Sequence, residues 1–139
     1  MIPLFLDTDI LLDFLGDRKP FSKFALQIFI NANKRNFRLY VSGYSITTAY
    51  YILCKYADEK RARELISGLL DYVSVIPVTA RVLRSAFKSE FKDVEDAVQH
   101  FCALSESKIK HLVTRNLKDY KKSQINVFTP EEILGLIIK

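Results

Sequence analysis

The chain has 139 residues, 49% of them hydrophobic and 27% charged, with only four glycines and four prolines. That excludes a disordered or collagen-like chain, leaves enough length to bury a core without disulfides or zinc, and predicts one domain over residues 1–139. Twenty-one lysines and arginines against 16 acids give a net charge of +5, which suits an anionic partner without requiring one.

Ile2 to Leu6 is a short apolar run without polar alternation and reads as a strand buried on both faces. It is too short for a signal peptide, and no run in the chain approaches the length that spans a bilayer, so a cytoplasmic protein is expected. Phe21, Phe24, Ala25, Ile28, Phe29 and Ala32 recur at helical spacing after Pro20. Arg38 to Ser42 is a second strand. Ile46 to Ala57 and Ala62 to Leu70 read as helices. Val73 to Val78 is β-rich, and Pro77 marks it as an edge or a strand end.

Two further helices run over Val82–Phe87 and Val94–Cys102, followed by strands at His111–Thr114 and Asn126–Phe128. Thr129-Pro130-Glu131-Glu132 is a helix start, with Thr at the N-cap, Pro at the first position and Glu at the third, leading into Ile133 to Ile138. This alternation predicts an α/β three-layer sandwich with a central, mostly parallel sheet flanked by helices. Ligands of such sheets bind beyond the carboxyl ends of the strands.

The residues at those ends are acids and amides. Asp7 and Asp9 follow the first strand, Asp93, Glu95 and Asp96 open the Val94–Cys102 helix, and Asn116 and Asp119 follow the His111–Thr114 strand. No Cys-x-x-Cys pair and no glycine-rich phosphate loop is present. His100 and His111 look structural, and Cys54 and Cys102 read as buried free thiols. Gathered carboxylates repel one another, and a divalent cation relieves that repulsion. Oxygen ligands select Mg²⁺ or Mn²⁺, either of which supports phosphodiester hydrolysis. The basic stretch Lys108, Lys110, Arg115, Lys118, Lys121 and Lys122 lies beside the third acidic position and could hold a phosphate backbone.

Each of these positions also has a plain structural reading. Asp7, Asn116 and Asp119 suit turns after strands. Asp93 suits an N-cap, with Asp96 three residues on. Asp9 and Asp13 read as an N-cap or a solvated face. Tyr44, Tyr50 and Tyr51 read as packing residues, and Thr48 as a helix-start hydroxyl.

Three segments in order resemble the PIN domain family, which includes VapC-type toxins: Leu4-Phe5-Leu6-Asp7-Thr8-Asp9-Ile10, Lys92-Asp93-Val94-Glu95-Asp96-Ala97-Val98, and Val113-Thr114-Arg115-Asn116-Leu117-Lys118-Asp119-Tyr120. The closing Phe128-Thr129-Pro130-Glu131-Glu132 fits as well. The resemblance implies metal-dependent cleavage of single-stranded or structured RNA, an antitoxin partner and a homodimer. Carried over by position, Asp7, Asp96 and Asn116 are metal-site residues, Asp119 a further metal-site acid, and Asp93 a nearby catalytic acid. Arg115, Lys118, Lys121 and Lys122 would contact RNA. The family's Glu at the start of the helix after the second strand corresponds to Thr48, and its late acid to the amide Asn116. Each change removes a negative charge, so weaker metal binding is expected. A non-catalytic PIN-like binding module is the alternative these changes motivate. A phosphotransferase of the haloacid dehalogenase type, suggested by Asp7-Thr8-Asp9, is a third reading.

Overall fold

A computed structural model describes residues 1–137, in which strands and helices alternate as the sequence predicts. Five strands form one sheet, β1 (Ile2–Leu6), β2 (Phe37–Ser42), β3 (Val73–Ile76), β4 (His111–Val113) and β5 (Asn126–Phe128), in the spatial order β3-β2-β1-β4-β5. Every pairing is parallel: Leu4 lies opposite Leu39 of β2, and Leu6 opposite Val113 of β4. β3 is an edge strand that stops just before Pro77, as expected for a residue with no N–H to give the ladder.

Side chains alternate across a strand, so β1 feeds two cores. Leu4 and Leu6 enter a cluster on one face with α1 (Thr8–Leu15), α2 (Ser22–Asn33), α3 (Gly43–Leu53), α4 (Glu59–Leu69) and α7 (Pro130–Gly135). Phe5 enters a cluster on the other face with α5 (Ala80–Lys88) and α6 (Val94–Leu104). Helices therefore cover both sides, which is why the strands read as unbroken apolar runs.

Most helix starts carry a side-chain cap: Asp7, Ser42, Asp58, Thr79, Asp93 and Thr129 each accept from a backbone N–H of the first turn. Thr129 and Glu132 complete the expected capping box. The predicted reach of that last helix to Ile138 falls outside the described residues, and the helix itself ends at Gly135. α3 starts at Gly43, before the predicted Ile46, because Ser42 caps it directly from the strand.

Two expectations need correction. The segment after Asp7 is a helix, α1, where the sequence reading had none. Asp13 on that helix is not on a solvated face but 1% exposed. α1 closes at Gly16, where a Cβ would stand 2.9 Å from the Leu12 carbonyl oxygen. Cys102 is buried and Cys54 half-buried, both as free thiols. Among the described residues no helix is long and apolar enough to cross a membrane.

Candidate active site

The chain turns to opposite sides of β1 for its two halves: β2 and β3 lie on one flank, β4 and β5 on the other. A crevice opens where the flanks part, beyond the carboxyl ends of β1 and β4. Asp7 stands there. It caps α1, so its Oδ1 accepts from the Thr8 N–H at 2.7 Å, and also from the Gln99 amide at 3.3 Å. Its Oδ2 accepts from the Thr114 hydroxyl at 2.9 Å and the Tyr120 hydroxyl at 3.1 Å. Four donors, from Thr8, Gln99, Thr114 and Tyr120, fix a carboxylate that is only 8% exposed. Burial first, and the Asp7 charge second, push the Tyr120 phenol far up, so it remains a donor.

Gln99 is the hub of this arrangement. It is 2% exposed and lies one turn beyond Asp96 on α6. Its amide nitrogen also reaches the Thr8 and Ser45 hydroxyls, and its oxygen accepts from Ser42. Sequence reading missed Gln99, Ser42 and Ser45. The one available signal was the three-residue spacing from Asp96 to Gln99, which puts both on one helix face.

Asp9 lines the same crevice. Its Oδ2 accepts from the Arg115 backbone N–H at 3.3 Å and the Asn116 amide at 3.4 Å, whereas its Oδ1 is buried with no partner. Burial, then the neighbouring Asp7 charge, push its carboxyl up to about 7. Asp9 was read as structural, yet it sits among the site acids.

Asp96 is half-buried at the start of α6, and its carboxyl is also pushed up to about 7, by burial first and then by Asp7, Asp93 and Asp119. Asp93 is exposed and caps α6 through the Glu95 and Asp96 N–H groups at 2.8 and 3.2 Å, as its sequence position suggested. Glu95 is held by the Tyr44 hydroxyl at 2.6 Å.

Two adjoining cavities organise these groups. One, of about 330 Å³, is lined by Asp7, Asp9, Thr48, Glu95, Asp96 and Asn116 among others. The second, of about 300 Å³, takes in Asp93, Asp96, Asp119, Lys118, Lys121 and Lys122. Asp96 forms part of both walls. The expected grouping of Asp119 with Asp7 is therefore divided between neighbouring cavities. Lys118, Lys121 and Lys122 are exposed, with Lys122 3.7 Å from Glu90. Arg115, expected with them, is engaged elsewhere: its guanidinium meets Asp13 at 2.7 and 3.2 Å and lies 3.8 Å over the Phe21 ring.

Among the described residues, no three His, Cys, Asp or Glu side chains are arranged around one point so as to hold a metal ion. The donor chemistry nonetheless suits a hard cation. Asp7, Asp9, Asp96 and Asn116 offer oxygens to one cavity, and the orphaned Asp9 Oδ1 is an acceptor that a cation would satisfy.

Comparison with known proteins bears on the family and the fold. The PIN domain family matches residues 3–118. Ribonuclease VapC1 of Aquifex aeolicus (strain VF5) is 29% identical over 134 residues, covering 93% of this chain and 91% of that protein. Two solved structures share the fold. A toxin–antitoxin complex from Klebsiella pneumoniae has a TM-score of 0.68 at 23% identity, covering 91% of this chain and 97% of the other. VapBC2 from Rickettsia felis, bound to a DNA fragment from its promoter, has a TM-score of 0.69 at 15% identity, covering 91% and 98%.

Proposed function

Because this chain belongs to the PIN domain family, we propose that it is a divalent-metal-dependent endoribonuclease, the toxin of a toxin–antitoxin pair. The observation that carries the reading is the crevice shared by Asp7 and Asp96 at the carboxyl edge of the sheet, with exposed lysines along its continuation. Similarity to a protein named a ribonuclease, and to a solved toxin–antitoxin complex, supports it. Family membership also displaces the dehalogenase-type reading of Asp7-Thr8-Asp9. The proposal takes residues 1–139 as one such domain acting in the cytoplasm, as a homodimer.

In this reading Asp7 and Asp96 would hold Mg²⁺ or Mn²⁺, with Asn116 lining the same cavity and Asp119 the adjoining one that Asp96 also lines. Such an ion supplies an activated water and offsets the charge that develops on the scissile phosphate. The chain's own residues do the rest. Gln99, Thr114 and Tyr120 aim the Asp7 carboxylate, so it needs no reorganisation when substrate arrives. Asp93 sets the start of α6 and thereby the position of Asp96. Lys118, Lys121 and Lys122 run an RNA backbone past Asp96, and the single-stranded or structured substrate lies along both cavities. An antitoxin would act by filling the acidic crevice.

The test is calorimetric titration of Mn²⁺ into the protein and into Asp7→Asn, followed by cleavage of end-labelled single-stranded RNA. Binding and cleavage in the wild type, both lost in a folded Asp7→Asn, are expected. Thr48 in the crevice, where the family has a Glu, favours one other reading: a non-catalytic binding module. Absence of any Mn²⁺ heat from the wild type would select it.

A further inference from the structure

We infer that Asp9 supplies to the metal centre the carboxylate that Asn116 lacks, with Asn116 acting as its positioning residue. The inference rests on the metal-dependent reading above and names which of this chain's acids completes it. Asp9 lies in the first turn of α1, two residues after Asp7, and lines the same cavity as Asp7 and Asp96. Its two oxygens are treated differently by the fold. Oδ2 is oriented by the Arg115 N–H and the Asn116 amide. Oδ1 is buried and has no donor.

A buried acceptor without a donor costs free energy that folded proteins rarely leave uncompensated. Neither guanidinium beside Asp9 provides the missing partner: that of Arg115 is bonded to Asp13 through Nε and Nη2, and that of Arg18 to Asp13 through Nε and to the Asp9 backbone carbonyl through Nη2. A purely structural Asp9, serving the positive end of α1, would explain the Arg115 contact and leave Oδ1 unexplained. A cation in the crevice explains both oxygens. The contact with Asn116 adds a second argument. Acid and amide are hydrogen-bonded neighbours, so an acid at 9 with an amide at 116 places one negative charge in the same small volume as the reverse arrangement would.

That equivalence sets the experiment: Mn²⁺ affinity by calorimetry, and metal-free thermal melting, for the wild type, Asp9→Asn and the double variant Asp9→Asn/Asn116→Asp. Asp9→Asn should weaken Mn²⁺ binding by about ten- to a hundredfold. Its metal-free melting temperature should hold or rise, since a carboxylate with one buried oxygen lacking a donor has gone. The double variant should regain most of the lost affinity. If Asp9→Asn melts too low to titrate, Asp9→Ser carries the same comparison. Wild-type affinity in Asp9→Asn, or no recovery in the double variant, would overturn the inference while leaving the nuclease reading in place. No Mn²⁺ binding by the wild type would overturn both.

Discussion

Asp13 is a buried acid that two arginines share. Arg18 meets Oδ1 at 2.9 Å and Arg115 meets Oδ2 at 2.7 Å. Removing a buried charge's last partner costs far more than removing one of two, because the ion is then stranded in low dielectric. Arg18→Ala and Arg115→Ala should therefore each be tolerated alone. Together they should cost about 3–5 kcal/mol, well beyond their sum. Urea denaturation of the two single variants and the double variant measures this, and simple additivity would contradict it. The Arg115–Asp13 pair also ties α1 to the loop after β4, so the double variant should loosen the Asp9–Arg115 contact at the crevice.

At the scale of elements, α6 packs on one face of the sheet with its first turns at the crevice, and His100 is its most buried polar residue. Burial lowers the His100 pKa to about 4, and its Nε2 has no partner. The unfolded chain, with an ordinary value near 6.5, binds the proton first. His100 therefore contributes stability above about pH 6.5 that is lost as pH falls toward 4, up to about 3 kcal/mol. Asp9 and Asp96, both raised to about 7, act in the opposite sense: their contribution is full below pH 3.8 and is lost as pH rises through 7. The comparison of wild type with His100→Asn isolates the histidine. Between pH 4 and 6.5 the wild type should lose stability relative to the variant as pH falls.

The elements were largely legible in the sequence because a parallel sheet covered on both faces leaves unbroken apolar runs. α1 was not, because Ile10-Leu11-Leu12 continues the apolar run of β1 with only Asp7-Thr8-Asp9 between, and a one-turn break hides a change of period. Asp7, Asn116 and Asp119 stood out because acids and amides after strands are conspicuous, and Asp96 because it opens a helix beside Asp93. Gln99, Ser42 and Ser45 did not, because the hydrogen bonds that join them run between residues 54 and 57 positions apart, and hydroxyls at a helix start look like ordinary caps. Asp9 was visible as a residue. Only its unpartnered oxygen distinguishes it from a surface acid, and that is a property of the folded chain.

Over the whole molecule, the net charge of +5 coexists with an acidic crevice, and the lysines beside the second cavity reconcile the two. RNA must approach carboxylates that repel it, so the basic rim governs encounter. RNA affinity should fall steeply with salt, and each lysine that neutralises a phosphate should add about 0.7 to the log–log slope for a single strand. Lys118→Ala and Lys121→Ala should each reduce the slope by about that amount. Lys122→Ala should reduce it less, because Glu90 stands 3.7 Å from its ammonium. Fluorescence anisotropy with labelled RNA across a salt series checks this, and equal slopes in all three variants and the wild type would refute it.

Asp7 leaves the ribosome before the two hydroxyls that hold it, which belong to Thr114 and Tyr120, 107 and 113 positions later. β1 also lacks its β4 neighbour until then. A chain cut short before Thr114 thus carries its principal carboxylate without two of its four donors. The cell translating such a protein meets the fully held carboxylate only after the late strand has emerged, and a message broken before that strand yields a chain without this geometry. For an enzyme that destroys RNA, the order in which its parts emerge is itself a safety catch.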